Sequence, residues 1–158
     1  MTQEDKELLL KDLCARLPYG VKCYSYCFKI DGNHCECYGT LDSIKLGAWY
    51  PFHLSNRMSI NNGATYEETF SEVKPYLFPL SSMTGEQHKE FYSIFPNSMS
   101  FSYTTRNELV IYTDPEYDCD HAFESFIEMQ DWLNAHHFDY RGLIEKGLAI
   151  DATGKNIY

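Results

Sequence analysis

Four of the six cysteines in this 158-residue chain lie close together, at Cys23, Cys27, Cys35 and Cys37. Four thiolates that converge across one hairpin could hold a structural zinc ion in tetrahedral geometry. The spacing differs from that of paired C-x2-C knuckles. Whether these thiols can share one ion therefore depends on the register of the hairpin that carries them.

The dipeptide Asp31-Gly32 predicts a two-residue turn between the two pairs of cysteines. Such a turn places Cys35 opposite Phe28 and Cys37 opposite Tyr26. Because side chains alternate along a strand, Cys23 and Cys27 would then point to the other face of the sheet. We therefore expect no metal and no cofactor. A three-residue turn would instead place Cys27 opposite Cys37, and that register keeps zinc binding open.

The two-residue register also predicts which side chains of the hairpin are buried. Cysteine behaves as a small hydrophobic residue when it is buried and reduced. We expect one buried face made of Tyr24, Tyr26, Phe28, Ile30, Cys35 and Cys37.

An acidic ladder has the alternate spacing of a calcium-binding loop and consists of Asp114, Glu116, Asp118 and Asp120. Counted from Asp114, the glycine needed at the sixth position is Cys119 and the glutamate needed at the twelfth is Ser125. We therefore interpret the ladder as a solvated loop, with Asp120 as the N-cap of the helix that follows.

The pair His136 and His137, followed by Asp139, has the residue types of a metal or acid–base site. Adjacent residues on a helix point about 100° apart, so both imidazoles cannot face one ion without distortion. The simpler interpretation is that protonated histidine interacts favourably with the C-terminal end of a helix dipole.

Motifs for nucleotide, dinucleotide and acyl-transfer chemistry do not occur in the chain. With six cysteines and six histidines available, a small Cys/His-dependent enzyme with a site between the two halves of the chain is the alternative hypothesis. Its catalytic residues are not indicated by any spacing.

The charge and hydropathy pattern restricts the partners and the location of the protein. With 13 Lys and Arg against 23 Asp and Glu, the net charge is −10, which disfavours nucleic acid and anionic membranes. The chain contains neither a signal-peptide pattern nor an apolar stretch long enough to span a bilayer. We expect a cytoplasmic protein with reduced cysteines.

The N-terminal half predicts one helix followed by short strands. Thr2 can cap a helix whose apolar stripe is Leu10, Leu13, Cys14 and Leu17. Strand-like runs over residues 21–30, 35–41, 44–50, 52–60 and 65–73 predict a small curled antiparallel sheet or an SH3-like barrel.

The C-terminal half predicts more helix. Pro75 and Pro79 interrupt the chain, and Thr84 with Gln87 forms a capping box that opens a short helix. A second hairpin is predicted from the alternation over 99–103 and the run at 109–112, before a helix over 121–137. The fold class is α+β, with modules 1–74 and 75–158 in one compact body.

Aromatic residues provide the candidate interaction surface. These are Trp49, Tyr50, Phe52, Tyr103, Tyr112 and Tyr117. Rigid aromatic side chains bind proteins well when they are exposed. We therefore expect a non-enzymatic interaction or regulatory protein whose partner is another protein.

Three segments of the chain are distinctive: DLCARLPYGVKC (Asp12 to Cys23), VKPYLFPLSSMT (Val73 to Thr84) and WLNAHHFDYRGLIEKGLAI (Trp132 to Ile150). They resemble a family of short proteins encoded by gut Bacteroidales and their phages, which has no assigned activity. The resemblance is weakest over 24–70 and 97–120. It implies a role in phage or host regulation and transfers no functional residue.

Overall fold

The computed structural model describes residues 1–28, 34–45, 52–59, 73–94, 99–103, 109–113 and 119–158. The secondary-structure elements follow one another as α1 (Gln3–Arg16), β1 (Lys22–Phe28), β2 (His34–Ile44), β3 (Phe52–Ser59), β4 (Val73–Pro79), α2 (Gly85–Ser93), β5 (Met99–Tyr103), β6 (Leu109–Thr113), α3 (Cys119–Ala135), β7 (Phe138–Asp139) and β8 (Ile150–Asp151). Short 3-10 helices follow α1 and β4, at Leu17–Tyr19 and Leu80–Ser82.

The main sheet is open, mixed and six-stranded, in the order β3-β2-β1-β4-β7 with β8 also paired to β4. Strands β1, β2 and β3 are antiparallel neighbours, and β4 is antiparallel to β1. Both β7 and β8 are parallel to β4. The α+β class is confirmed. The SH3-like barrel is wrong, because the C-terminal strands extend the sheet beyond β4 and do not close it.

Strand β4 joins the two parts of the chain. It pairs with β1 on the N-terminal side of the sequence and with β7 and β8 on the C-terminal side. The boundary predicted between residues 74 and 75 lies inside this strand. Pro75 and Pro79 do not interrupt it, because Pro75 is the last β4 residue paired with β1 and Pro79 is the last residue of β4. A proline at such a position costs few ladder hydrogen bonds.

The hairpin register differs from the predicted one. Ser25 is the partner of Cys37 and Cys27 is the partner of Cys35, so the strands are displaced from both registers considered above. Asp31 and Gly32 lie outside the described residues. Cys23, Ser25 and Cys37 are fully buried, whereas Tyr24 is half-buried. The register of a strand determines which of its side chains are buried. Here the buried face carries Cys23, Ser25 and Cys37 in place of the predicted Tyr24.

Helix α1 begins as predicted and buries a different stripe. Thr2 and Asp5 form a reciprocal capping box at its start. The buried residues are Leu9, Asp12, Leu13 and Arg16, and Cys14 is exposed. Leu9 and Leu13 pack with sheet residues such as Val21, Cys23 and Leu77. The predicted stripe is wrong in part, because the buried face includes two charged residues that apolar periodicity does not detect.

The remaining helices form a second core. Phe91 of α2 packs with Met129 and Leu133 of α3 and with Phe138 of β7. The predicted hairpin of β5 and β6 is confirmed. Asp120 is not an N-cap, since α3 begins at Cys119. Within the described ranges, no helix combines the length and apolar character that crossing a membrane requires.

The capping box of α2 yields a first prediction. The Thr84 hydroxyl accepts a hydrogen bond from the Gln87 N–H, and the Gln87 side chain accepts one from the Thr84 N–H. Thr84→Ala should lower the free energy of unfolding by about 1 kcal/mol in urea titration, because one helix N–H loses its partner. Ser81→Ala, at an exposed position before the helix, is the control and should leave it unchanged. Equal effects of both substitutions would contradict this role.

Candidate interaction surface

The end of α3 is held against α1 by one buried side chain, that of Arg16, which is fully excluded from solvent. Its Nη2 donates to the Phe138 carbonyl at 2.7 Å, and its Nη1 donates to the Leu133 carbonyl at 3.5 Å. The Leu133 carbonyl lies in the last turns of α3, and the Phe138 carbonyl lies in β7. A guanidinium can reach both because its donors form a rigid planar fork.

Asp12 is the charge partner of Arg16. One turn earlier on α1, its Oδ2 accepts from the Arg16 Nε at 2.7 Å, and both side chains have zero exposure. Its Oδ1 lies 3.4 Å from the Arg141 Nε, close enough for attraction, although neither atom has a hydrogen-bond partner. Burial raises the pKa of the Asp12 carboxyl, and the Arg16 and Arg141 guanidinium groups oppose that shift.

Tyr140 extends this polar cluster toward the surface. Its ring lies under two guanidinium groups, with the Arg16 Cζ 5.5 Å and the Arg141 Cζ 5.0 Å from the ring centroid. Its hydroxyl donates to the Asn134 Oδ1 at 3.1 Å and accepts from the Gln130 Nε2 at 3.1 Å. Both partners belong to α3, so the cluster fixes the rotation of α3 about its axis as well as its position.

Two aromatic contacts complete the anchoring of α3. The Trp132 ring lies 5.0 Å from the Phe91 ring of α2 and stacks on the His136 ring at 3.9 Å. Burial, followed by interaction with the nearby Asp131 carboxylate, raises the pKa of Tyr19. With one side of the helix held in this way, the opposite side of its N-terminal half faces solvent.

The exposed side of α3 carries an unusual combination of residues. Glu124, Ile127 and Glu128 are spaced i, i+3 and i+4, so they form one stripe, and all three are exposed. We call this set the outer stripe. Ile127 is 52% exposed, whereas Phe126, which is 38% exposed, points about 100° away from Ile127 around the helix. No Lys or Arg occurs in α3, so the carboxylates of the stripe have no lysine or arginine neighbour on their own helix.

The predicted aromatic surface receives little support. Phe52 is buried in the sheet core at 3% exposure, so its assignment to an exposed surface is wrong. Strand β3 places it under α1, where a large apolar ring fills space. Trp49, Tyr50 and Tyr117 lie outside the described residues. Tyr103 and Tyr112 lie in the β5–β6 hairpin, where Tyr103 pairs with Leu109 and Tyr112 with Ser100, and their exposure stays a prediction.

The candidate zinc ligands are only partly described. Cys23 and Cys37 are buried, and the Cys37 thiol donates to the Ser25 carbonyl at 3.7 Å. In the described part of the chain, no three His, Cys, Asp or Glu side chains cluster as a metal site would require. Cys27 and Cys35 are known by their strand positions alone, so the absence of zinc stays a prediction.

The histidine pair and Asp139 serve separate purposes. The His136 Nδ1 donates to the Trp132 carbonyl at 2.9 Å. Asp139 is buried, and its carboxylate accepts from the backbone N–H groups of Leu143 and Ile144 at 2.9 and 2.8 Å. His137 is buried, and burial lowers its pKa to about 4. The predicted protonated histidine at a helix end is therefore wrong for His137.

A cleft of about 350 Å³ lies between α1, the start of β4 and residues 146–148. Its walls include Asp5, Leu9, Val73, Lys146 and Leu148, and none of its described wall residues is a cysteine or a histidine. The hypothesis of a Cys/His enzyme therefore gains no support from this cleft.

The sequence contains a weak signal for the outer stripe that composition and aromatic counting missed. Phe126 and Ile127 are adjacent and point about 100° apart, so at least one of these two apolar side chains lies away from the centre of the buried helix face. The complete lack of Lys and Arg over Cys119–Ala135 is visible in the sequence. Together these two features could have indicated an acidic face with an exposed apolar residue.

The role of Arg16 yields a second prediction. Arg16→Met should lower the free energy of unfolding by about 3–5 kcal/mol in urea titration, because the Asp12 carboxylate and two backbone carbonyls lose their buried partner. Lys11→Met removes an exposed cation from the same helix, and its effect should stay within about 0.5 kcal/mol. A loss below about 1 kcal/mol for Arg16→Met would contradict the anchoring role.

Comparison with known proteins assigns no family to the chain. No family model, no curated protein and no solved structure matches it. The functional conclusion therefore depends on the chain's own residues.

Proposed function

We propose that this protein is a non-enzymatic interaction or regulatory protein that binds another protein through the outer stripe of α3. The observation that carries the proposal is Ile127, an aliphatic residue 52% exposed on a helix whose other side is firmly anchored. Single exposed apolar residues are common, but this one lies on the same helix face as the carboxylates of Glu124 and Glu128. An apolar residue with a charged rim is the usual composition of a protein-binding surface.

The charges of the stripe favour a basic partner. Glu124 and Glu128 are like charges at i and i+4, an arrangement that costs an isolated helix about 0.2–0.5 kcal/mol. Neither carboxylate is in an ion pair within the described residues. A partner with Lys or Arg around an apolar side chain would relieve this repulsion and cover Ile127. The net charge of −10 would also accelerate association with such a partner and repel nucleic acid.

The biological setting is supported only by the sequence resemblance. The segments at 12–23, 73–84 and 132–150 resemble proteins of gut Bacteroidales and their phages. We propose on that basis an accessory or regulatory role in a phage or another mobile element, in the cytoplasm. The partner would then be encoded by the phage or by its host.

The stripe yields a third prediction, tested by affinity capture from cells of the native host with quantitative mass spectrometry. A partner held by the stripe should be retained by the wild-type protein and lost with Ile127→Ser, which removes the apolar side chain. The double variant Glu124→Gln/Glu128→Gln should also lose it, because the charge attraction disappears. With the purified partner, Ile127→Ser should weaken the Kd at least tenfold, on the order expected for a central contact.

The matched control is Glu4→Gln/Glu145→Gln, which removes the same charge from exposed positions away from α3. It should retain the partner at the wild-type level. Raising the salt concentration should weaken wild-type binding more than that of the α3 glutamine variant. If no protein is retained above background, or if all variants retain it equally, the proposal fails.

A further inference from the structure

The junction between α3 and β7 contains His137, a buried histidine with a left-handed backbone conformation. His137 has φ = +59°, the only positive φ among the non-glycine residues in the described ranges. Its carbonyl accepts from the Phe78 N–H of β4 at 2.9 Å, which ties the junction to the sheet. The residue is 8% exposed, and among the residues that the structure describes none forms a hydrogen bond with its buried Nδ1.

The environment of His137 disfavours its protonated form. A protonated imidazole donates from both nitrogens, and no acceptor lies at Nδ1. The charged and titratable groups that face the ring are Arg16 of α1, Lys22 of β1, the neighbouring His136, and Tyr158. The three basic groups add their repulsion to the cost of burial, and Tyr158 provides no negative charge because burial raises its pKa.

The His137 ring is covered by Tyr158. The two rings stack with centroids 4.0 Å apart and planes 16° apart, and the Tyr158 ring also lies 5.8 Å from that of Phe78. The Tyr158 hydroxyl donates to the Tyr76 carbonyl at 2.7 Å and accepts from the Lys22 N–H at 3.1 Å. One side chain therefore covers His137 and joins β1 to β4.

We propose that His137 and Tyr158 form an acid-sensitive latch, in which protonation of His137 favours departure of Tyr158 from the ring and releases residues 153–158 from the sheet. The proton comes from solvent and no covalent bond changes. In the open state water reaches Nδ1, Phe78 becomes exposed, and the Lys22 N–H loses its acceptor. Release is independent of whether the outer stripe binds a partner.

The sign of the pH dependence follows from the lowered pKa of His137. The unfolded or released ring binds a proton near pH 6.5, whereas the covered ring does so near pH 4. Below pH 6.5 the open state therefore takes up protons that the closed state does not, and closure weakens as the pH falls toward 4. Between pH 7 and pH 5 the ratio of closed to open latch should fall by about 20-fold.

Amide hydrogen exchange tests the latch directly, with the Lys22 amide as the reporter and the Leu41 amide as the control. The Leu41 N–H donates to the Val21 carbonyl at 2.9 Å within the same sheet. After correction for the intrinsic pH dependence of exchange, protection of Lys22 should fall at least tenfold between pH 7 and pH 5. Protection of Leu41 should change much less, because the sheet itself stays folded.

Two variants and one spectroscopic measurement separate the latch from general acid unfolding. His137→Asn, which tolerates positive φ, should abolish the pH dependence of Lys22 exchange over this range. Tyr158→Phe keeps the stacked ring and loses both hydroxyl bonds, so opening should move to higher pH. In the wild-type protein, the NMR titration of the His137 ring should share its midpoint with the loss of Lys22 protection. The latch is excluded if His137 titrates while Lys22 stays protected, or if His137→Asn shows the same pH dependence.

Discussion

The buried guanidinium of Arg16 is the contact on which the arrangement of the helices depends. It donates to the Asp12 carboxylate within α1 and to the carbonyls of Leu133 and Phe138, more than a hundred residues away in the chain. A hydrophobic residue of similar volume could fill this space, and such replacements of buried ion pairs are often neutral or stabilising. A methionine would nevertheless leave both carbonyls without a donor. The guanidinium therefore provides directional hydrogen bonds that apolar packing cannot replace.

That directional anchoring has a consequence for the opposite side of α3. Because Leu133, Asn134 and Trp132 are held by α1, Tyr140 and α2, the stripe of Glu124, Ile127 and Glu128 is left facing solvent. The same junction carries His137, whose repulsion by Arg16 contributes to keeping its imidazole neutral. The proposed binding surface and the proposed acid-sensitive latch thus depend on one buried cation.

Features that depend on neighbouring residues could be predicted from the sequence, and those that depend on distant packing could not. The capping residues Thr2 and Thr84 act within one helical turn, and both motifs were predictable. The hairpin register was not, because Asp31-Gly32 indicates a turn while the sheet selects the face to be buried. Asp12 and Arg16 have the spacing of an ordinary surface pair, and only the tertiary structure buries them. For the same reason, aromatic content placed the buried Phe52 on an interaction surface and did not indicate the outer stripe.

Native-state hydrogen exchange measures most directly whether Arg16 joins α1, α3 and the sheet into one cooperative unit. The amides of Leu13 in α1, Phe78 in β4 and Leu143 after β7 should open with the same free energy, equal to that of global unfolding. In Arg16→Met, the Leu13 amide should open at a lower free energy than the Phe78 amide. If α1 already exchanges independently in the wild-type protein, or if Arg16→Met leaves the three amides coincident, the account is contradicted.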